Sequence, residues 1–236
     1  VDPVFHKSVG FYVFSMPVFH LIQGWLLGAV IVITIVTLGI YAANYSLRGV
    51  SFSITPRLHA HVAVLAAAIL FIIALGHFLD IYELLFSSRG VVFGATYADL
   101  NAQLPALRML TGVAALAGGL ILLSIFLRSI QKRIRLAVGA FGLWFVAAIV
   151  VGALFPAMMQ RFIVNPNEIS RESPYIARNV EWSRDGFDLS NIVTQEYPAR
   201  EDVTAETILN NPETIDNLRL WDHRPLRDVY NQIQHM

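Results

Sequence analysis

The 236-residue chain contains no cysteine, and few of its residues are charged. Disulfide bonds, thiolate nucleophiles, zinc–thiolate sites and iron–sulfur clusters formed by its own side chains are therefore excluded. Asp, Glu, Lys and Arg make up 14% of the residues, whereas a soluble domain has about a quarter. The formal net charge is zero, so no overall basic field attracts nucleic acid, and we expect no nucleic-acid partner.

The common catalytic motifs are also missing. The sequence has no phosphate loop, serine nucleophile elbow, zinc-binding helix motif or dinucleotide fingerprint. No stretch combines a nucleophile, a base and a residue that would orient the base. We therefore expect no enzymatic activity, no catalytic residue, no metal and no cofactor, and lipid is the bound molecule that such a sequence favours.

Hydrophobic residues, by contrast, make up 56% of the chain and are concentrated in four long runs. The runs cover about residues 17–45, 61–86, 105–127 and 136–162. A bilayer core of about 30 Å needs roughly 20 apolar residues as a helix, and a helix satisfies its own backbone groups in lipid. The predicted fold is all-α, a polytopic transmembrane bundle of about four spans over residues 17–162.

The distribution of basic residues predicts the orientation of these spans. The turns after the first and third spans are basic, whereas the loop 87–104 contains one arginine; the basic residues are Arg48, Arg57, Arg128, Lys132, Arg133 and Arg135. Lys and Arg favour the cytoplasmic side. We therefore expect a multi-pass protein of the bacterial cytoplasmic membrane. The extracytoplasmic parts would be residues 1–16, the loop 87–104 and the tail 163–236, so that both chain ends lie outside.

Residues 163–236 form an acidic tail with thirteen Asp or Glu and seven Lys or Arg. Asn165-Pro166, Ser173-Pro174 and Asn211-Pro212 each resemble the beginning of a short helix, and a last helix is predicted over residues 225–234. The tail has too few apolar residues for a core of its own. It should pack on the membrane helices, on further parts of a longer chain, or on a partner.

The second span ends in ionisable residues, namely His77, Asp80 and Glu83. Their spacing of three places them near one face of a helix, and ionisable groups in a membrane helix raise the hypothesis of a proton relay or an ion site. A structural role at the membrane interface is the alternative. His77 is also a candidate ligand for a haem or a pigment, although the sequence shows no second ligand beside it.

Three blocks together resemble a known family. They are DPVFHKSVGFYVFSMPV, LDIYELLFSSRGVVFGATYADLNAQLPALR, and RFIVNPNEISRESPYIARNVEWSRDGF followed by NLRLWDHRPLRDVYNQIQ. In this order they are similar to the bacterial uncharacterised protein family 0182. The resemblance implies a middle segment of a larger membrane protein, with further helices before it and a long extracytoplasmic region after it. It implies no catalytic residues.

Parts of the second and third blocks, SSRGVVFGATYADLNAQLP and ESPYIARN, fall on the same predicted side of the membrane. We expect them to pack together at the outer surface, with four charged residues available for ion pairs: Arg89, Asp99, Arg171 and Arg178.

The leading functional hypothesis is a non-catalytic scaffold or accessory subunit of a larger membrane assembly. The alternatives are a component of a transporter or channel, and the membrane anchor of an envelope enzyme whose active region lies in another part of a longer chain. The expected partners are the lipid bilayer and either other membrane subunits or the rest of such a chain.

Overall fold

The computed structural model describes residues 1–49, 51, 53–90, 92–193, 195–196, 204–217 and 223–234. Contacts within the chain divide it into two compact units, Val1–Leu189 and Ser190–Met236. The first unit contains all four long apolar helices. The predicted division at residues 162 and 163 concerns the two sides of the membrane, and it stays a prediction.

The first unit is a bundle of four long helices. They are α1 (Phe11–Leu47), α2 (Pro56–Phe86), α3 (Asp99–Ser124) and α4, which begins as Ile130–Ala147 and continues through further helical turns to Val164. Each is long and apolar enough to cross a membrane. No strand occurs in the described part of the chain. The prediction of an all-α fold with four candidate membrane spans is confirmed.

The predicted ends of the spans need correction, because each helix begins five or six residues before its predicted start. α1 begins six residues before the predicted Pro17, and α3 begins six residues before Pro105. α2 begins at Pro56, where the Thr55 hydroxyl accepts a hydrogen bond from the backbone N–H of Leu58. A proline in the first turn costs no intrahelical hydrogen bond. Hydrophobicity locates the apolar part of a helix, whereas capping groups locate its ends.

Helices α2 and α3 form the centre of the bundle, with α1 packed chiefly against α2 and α4 against α3. Small side chains dominate the buried contact; the core residues are Ala63, Ala67, Leu70, Ala117, Ile121 and Ala140. A Cβ atom on Gly118 of α3 would lie 3.3 Å from the carbonyl oxygen of Ala67 in α2. The two backbones therefore approach closely, as small residues permit in membrane helices.

A further helix, α5 (Glu168–Gly186), completes the first unit. The sequence predicts that Ser173-Pro174 begins a new helix, and this is wrong because Pro174 lies inside α5. An internal proline removes one backbone hydrogen bond, and side-chain contacts of α5 with the loop between α2 and α3 stabilise the continuous helix instead. The predicted cap at Asn165 is also displaced, because α5 has Asn167 as its N-cap residue.

The second unit contains three short helices among its described residues. They are α6 (Ala205–Leu209), α7 (Pro212–Asp216) and α8 (His223–Gln234). α7 begins at Pro212, where the Asn211-Pro212 pair predicts a helix. Leu218 and Trp221 of the NLRLWDHR block lie outside the described residues.

Candidate polar site at the long-loop end

The bundle has two chemically different ends. At the basic end, α1 and α3 finish while α2 and α4 begin, which brings the turns with Arg48, Arg57 and Arg128 to one side. At the long-loop end, α2 finishes and α3 begins, and residues 87–98 connect them. Gly94 has φ +128, a conformation that favours glycine, and its N–H donates to the carbonyl oxygen of Ser87. The candidate site lies at this end.

A buried carboxylate organises the first turn of α3. Asp99 is completely buried, and its Oδ2 accepts hydrogen bonds from the backbone N–H and the hydroxyl of Thr96. In return, the Thr96 hydroxyl accepts a hydrogen bond from the N–H of Asp99. This reciprocal arrangement is a capping box, which satisfies donors that the helix itself leaves unpaired.

The four charged residues that were predicted to form ion pairs do so only in part. Nη1 of Arg89 lies 3.5 Å from Oδ1 of Asp99 and 3.3 Å from Oε1 of Gln103. Arg171 and Arg178 instead place their guanidinium groups 5.2 Å and 5.7 Å from the ring centres of Tyr97 and Tyr175. A guanidinium group above an aromatic ring is a cation–π contact.

Helix α5 docks on the beginning of α3 and on the long loop. Both carboxylate oxygens of Glu172 accept from the backbone N–H of Tyr97, at 3.3 and 3.2 Å. Nδ2 of Asn179 donates to the carbonyl oxygen of Phe93 at 2.7 Å. The rings of Tyr97 and Tyr175 meet edge to face. The two sequence blocks that carry Tyr97 and Glu172 are therefore in direct contact.

The environment of Glu172 disfavours its charge. The side chain is 2% exposed. Burial raises the pKa of Glu172, the N–H of Tyr97 opposes this, and the negative charges of Asp99 and Glu168 raise the pKa further. The long-loop end therefore has two buried carboxyl groups, of which Glu172 holds a proton to higher pH than an ordinary glutamate.

The predicted group of His77, Asp80 and Glu83 is divided between two contacts. Nδ1 of His77 lies 3.7 Å from Oδ2 of Asp80. Glu83 approaches another residue, since its Oε1 lies 3.2 Å from Nε2 of His20 in α1. One ligand atom each from His20, Asp80 and Glu83 lies within 4.8 Å of the other two. These three residues are hereafter called the His–Asp–Glu cluster.

Sequence reasoning missed His20, and the reason is its place on another helix, 60 residues before Asp80. Adjacent antiparallel spans bring the beginning of α1 next to the end of α2, and this pairing was the available signal. The remaining histidines of the four long helices, His59 and His61, lie at the basic end. His61 Nδ1 is 2.8 Å from the Tyr41 hydroxyl, and His59 is buried beside an apolar cavity of about 500 Å³.

A polar cavity of about 460 Å³ adjoins the cluster. Its polar lining consists of three carboxylates, one guanidinium group, one amide and two hydroxyl groups: Asp80, Glu83, Asp99, Arg89, Gln103, Ser87 and Ser88. The cavity therefore connects the carboxylates of the His–Asp–Glu cluster with the capping box of α3. Negative charge exceeds positive charge along its wall, so it favours cations.

The sequence of the whole chain, residues 1–236, matches the model of an uncharacterised protein family, UPF0182. The chain belongs to UPF0182. The UPF0182 protein of Desulforamulus reducens is 39% identical to it over 237 residues, which cover all of this chain and 25% of that relative. The UPF0182 protein of Trichodesmium erythraeum is 36% identical over 238 residues, covering all of this chain and 26% of the relative.

Membership of UPF0182 confirms the resemblance read from the three sequence blocks. The chain spans about a quarter of the length of these curated relatives. The UPF0182 protein of Pelotomaculum thermopropionicum, 37% identical over 237 residues, shows the same proportion, with 26% of its length covered. No solved structure matches the chain significantly.

Proposed function

We propose that this UPF0182 segment is a non-catalytic membrane scaffold of a larger assembly in the bacterial cytoplasmic membrane. The observation that carries the proposal is the docking of α5 on the long-loop end, through Glu172 to Tyr97 and Asn179 to Phe93. This contact fixes the direction in which the chain leaves the membrane helices. A scaffold that presents a polar region to partners needs such a rigid junction, because ordering a flexible junction on binding would cost affinity.

The test is purification of the protein from its complete reading frame in mild detergent. We expect it to copurify with companion proteins in a fixed ratio. The Glu172→Ala/Asn179→Ala double variant should still enter the membrane but retain at most about a tenth of the companions, which corresponds to about 1.4 kcal/mol. The control is Glu181→Ala/Arg184→Ala, which changes exposed residues of the same helix. A wild-type protein that purifies as a stable monomer without companions would overturn the proposal.

The proposal includes an orientation, with the basic end in the cytoplasm and both ends of this chain outside. Lys and Arg near the ends of spans favour the cytoplasmic side. Ser51 and Ser88 provide a matched pair, because both are exposed and lie at opposite ends of the bundle. In spheroplasts, we expect a membrane-impermeant maleimide to label the Ser88→Cys variant. The Ser51→Cys variant should be labelled only after permeabilisation, and its labelling in sealed spheroplasts would contradict the orientation.

A transporter component is the second candidate, and the polar cavity at the long-loop end favours it. The apolar core argues against it, because Ala67, Leu70 and Ile121 pack between the helices beyond the cavity. Polar side chains within the spans bond to nearby backbone, as in the contact of Gln23 Nε2 with the carbonyl oxygen of Ile72.

The third candidate is an anchor for an envelope enzyme. It rests on the greater length of the relatives, and it shares with the scaffold the need for a rigid junction.

A further inference from the structure

We propose that the His–Asp–Glu cluster binds one divalent metal ion, with Zn²⁺ as the preferred ion. The cluster joins two helices, since His20 belongs to α1 whereas Asp80 and Glu83 belong to α2. Its three ligand atoms lie within 4.8 Å of one another. Ligand atoms around a tetrahedral ion with bonds of 2.0–2.1 Å lie about 3.4 Å apart, so small side-chain rotations bring the three atoms to binding distance.

The imidazole of His20 supplies an independent observation. Its Nε2 atom is buried and makes no hydrogen bond of adequate geometry to any described residue. The same atom lies 3.2 Å from Oε1 of Glu83. In a hydrogen bond, the ring N–H would point at the carboxylate oxygen. In a metal site, a lone pair of the ring nitrogen and a lone pair of the carboxylate oxygen would both point at the ion between them. A buried, unpaired ring nitrogen is costly, and coordination would remove that cost.

The surroundings provide what a metal site needs besides its ligands. Asp80 and Glu83 line the polar cavity of about 460 Å³, which gives an ion a route to the cluster and leaves room for a water ligand. His77, with Nδ1 3.7 Å from Oδ2 of Asp80, is placed to orient that carboxylate. Such outer contacts hold the ligands of metal ions in position. The cluster thus has three protein ligands, an open position and a supporting residue.

The choice of metal follows from the ligand types. Imidazole suits Zn²⁺ and its transition-metal neighbours, whereas Ca²⁺ takes six to eight oxygen ligands and Mg²⁺ prefers oxygen with several waters. One nitrogen and two carboxylates with an open position resemble three-ligand zinc sites that retain water. A bound ion would tie α1 to α2 at the long-loop end. This site goes beyond the scaffold function and does not depend on it.

The experiment uses the protein from its complete reading frame, purified without a polyhistidine tag and stripped of metal with a chelator. Zn²⁺ binding is measured by calorimetry, and Co²⁺ serves as a spectroscopic probe. We expect one more ion per chain in the wild type than in His20→Ala, and about 100-fold weaker binding in Asp80→Asn and Glu83→Gln. His77→Ala should weaken binding about tenfold. His61→Ala, which changes a histidine at the opposite end of the bundle, is the control and should bind as the wild type does.

The competing explanation is an interhelical ion pair between His20 and Glu83. It predicts that Zn²⁺ stoichiometry is equal in the wild type and in His20→Ala, and that chelation leaves the melting temperature of the wild type unchanged. Either result would overturn the metal site. Should Asp80→Asn not fold, the Glu83→Gln and His20→Ala proteins carry the comparison, because each removes one ligand separately.

Discussion

Replacing Glu172 with alanine is expected to release α5 from the long-loop end. The change removes the acceptor for the backbone N–H of Tyr97, which both oxygens of Glu172 contact in the intact protein. A partly buried donor left without its acceptor costs about 1–3 kcal/mol. Amide hydrogen exchange in α5 and in the first turn of α3 should therefore accelerate about ten- to hundredfold. Glu181→Ala, an exposed position on the same helix, should leave exchange unchanged.

The docking of α5 should also depend on pH, in a direction fixed by the raised pKa of Glu172. The docked state binds the proton of this carboxyl more tightly than the undocked state does. The protonated Glu172 carboxyl therefore stabilises docking fully at pH values below the ordinary pKa of glutamate. This stabilisation is lost as the pH rises through the raised pKa of the docked state. Protection factors in α5 should fall over this range in the wild type.

The Glu172→Gln variant separates the hydrogen bond from the charge. Its amide oxygen can still accept from Tyr97, and it has no charge to bury. We expect protection in this variant at least equal to that of the wild type at neutral pH, and independent of pH. Wild-type protection that is flat with pH, or loss of docking in Glu172→Gln, would contradict the role assigned to this carboxyl.

The helices of the bundle were predictable because lipid imposes one solution on a long apolar segment. Backbone groups in a membrane must be satisfied within the helix, so four apolar runs give four helices. Their ends were less predictable, because they depend on single groups such as the Thr55 hydroxyl at the beginning of α2. Pro174 shows the same limit. A local rule places a helix start there, and contacts of α5 with the long loop override it.

The polar site was predictable only in its separate parts. Asp80 and Glu83 raised the hypothesis of an ion site because ionisable groups in a membrane helix are costly. The contact between the blocks that carry Tyr97 and Glu172 was expected from the predicted topology. The pairing of Glu83 with His20 required knowledge of which helix packs beside α2. The role of Glu172 required knowledge of its burial, since nothing in ESPYIARN distinguishes a buried glutamate from an exposed one.

The second large effect is expected from Gly118→Leu in the centre of the bundle. A Cβ atom at this position would lie 3.3 Å from the carbonyl oxygen of Ala67 and 3.3 Å from Cζ of Phe71. A leucine adds three more carbon atoms beyond Cβ, so α2 and α3 must separate. Overpacking of a core costs about 1–3 kcal/mol. We expect a loss of about 2–3 kcal/mol in the free energy of unfolding, measured by SDS titration in mixed micelles.

Gly119 provides the matched control, because a Cβ atom there meets nothing within 4 Å. Gly119→Leu should not lower the free energy of unfolding, because leucine has a higher helix propensity than glycine and no close contact opposes its Cβ atom. The two variants make the same chemical change at adjacent positions of the same helix. A loss of stability in Gly118→Leu alone would therefore come from the contact between α2 and α3. Equal losses in the two variants would show that the contact of α2 with α3 at Gly118 is not the cause, since helix propensity favours leucine over glycine at both positions.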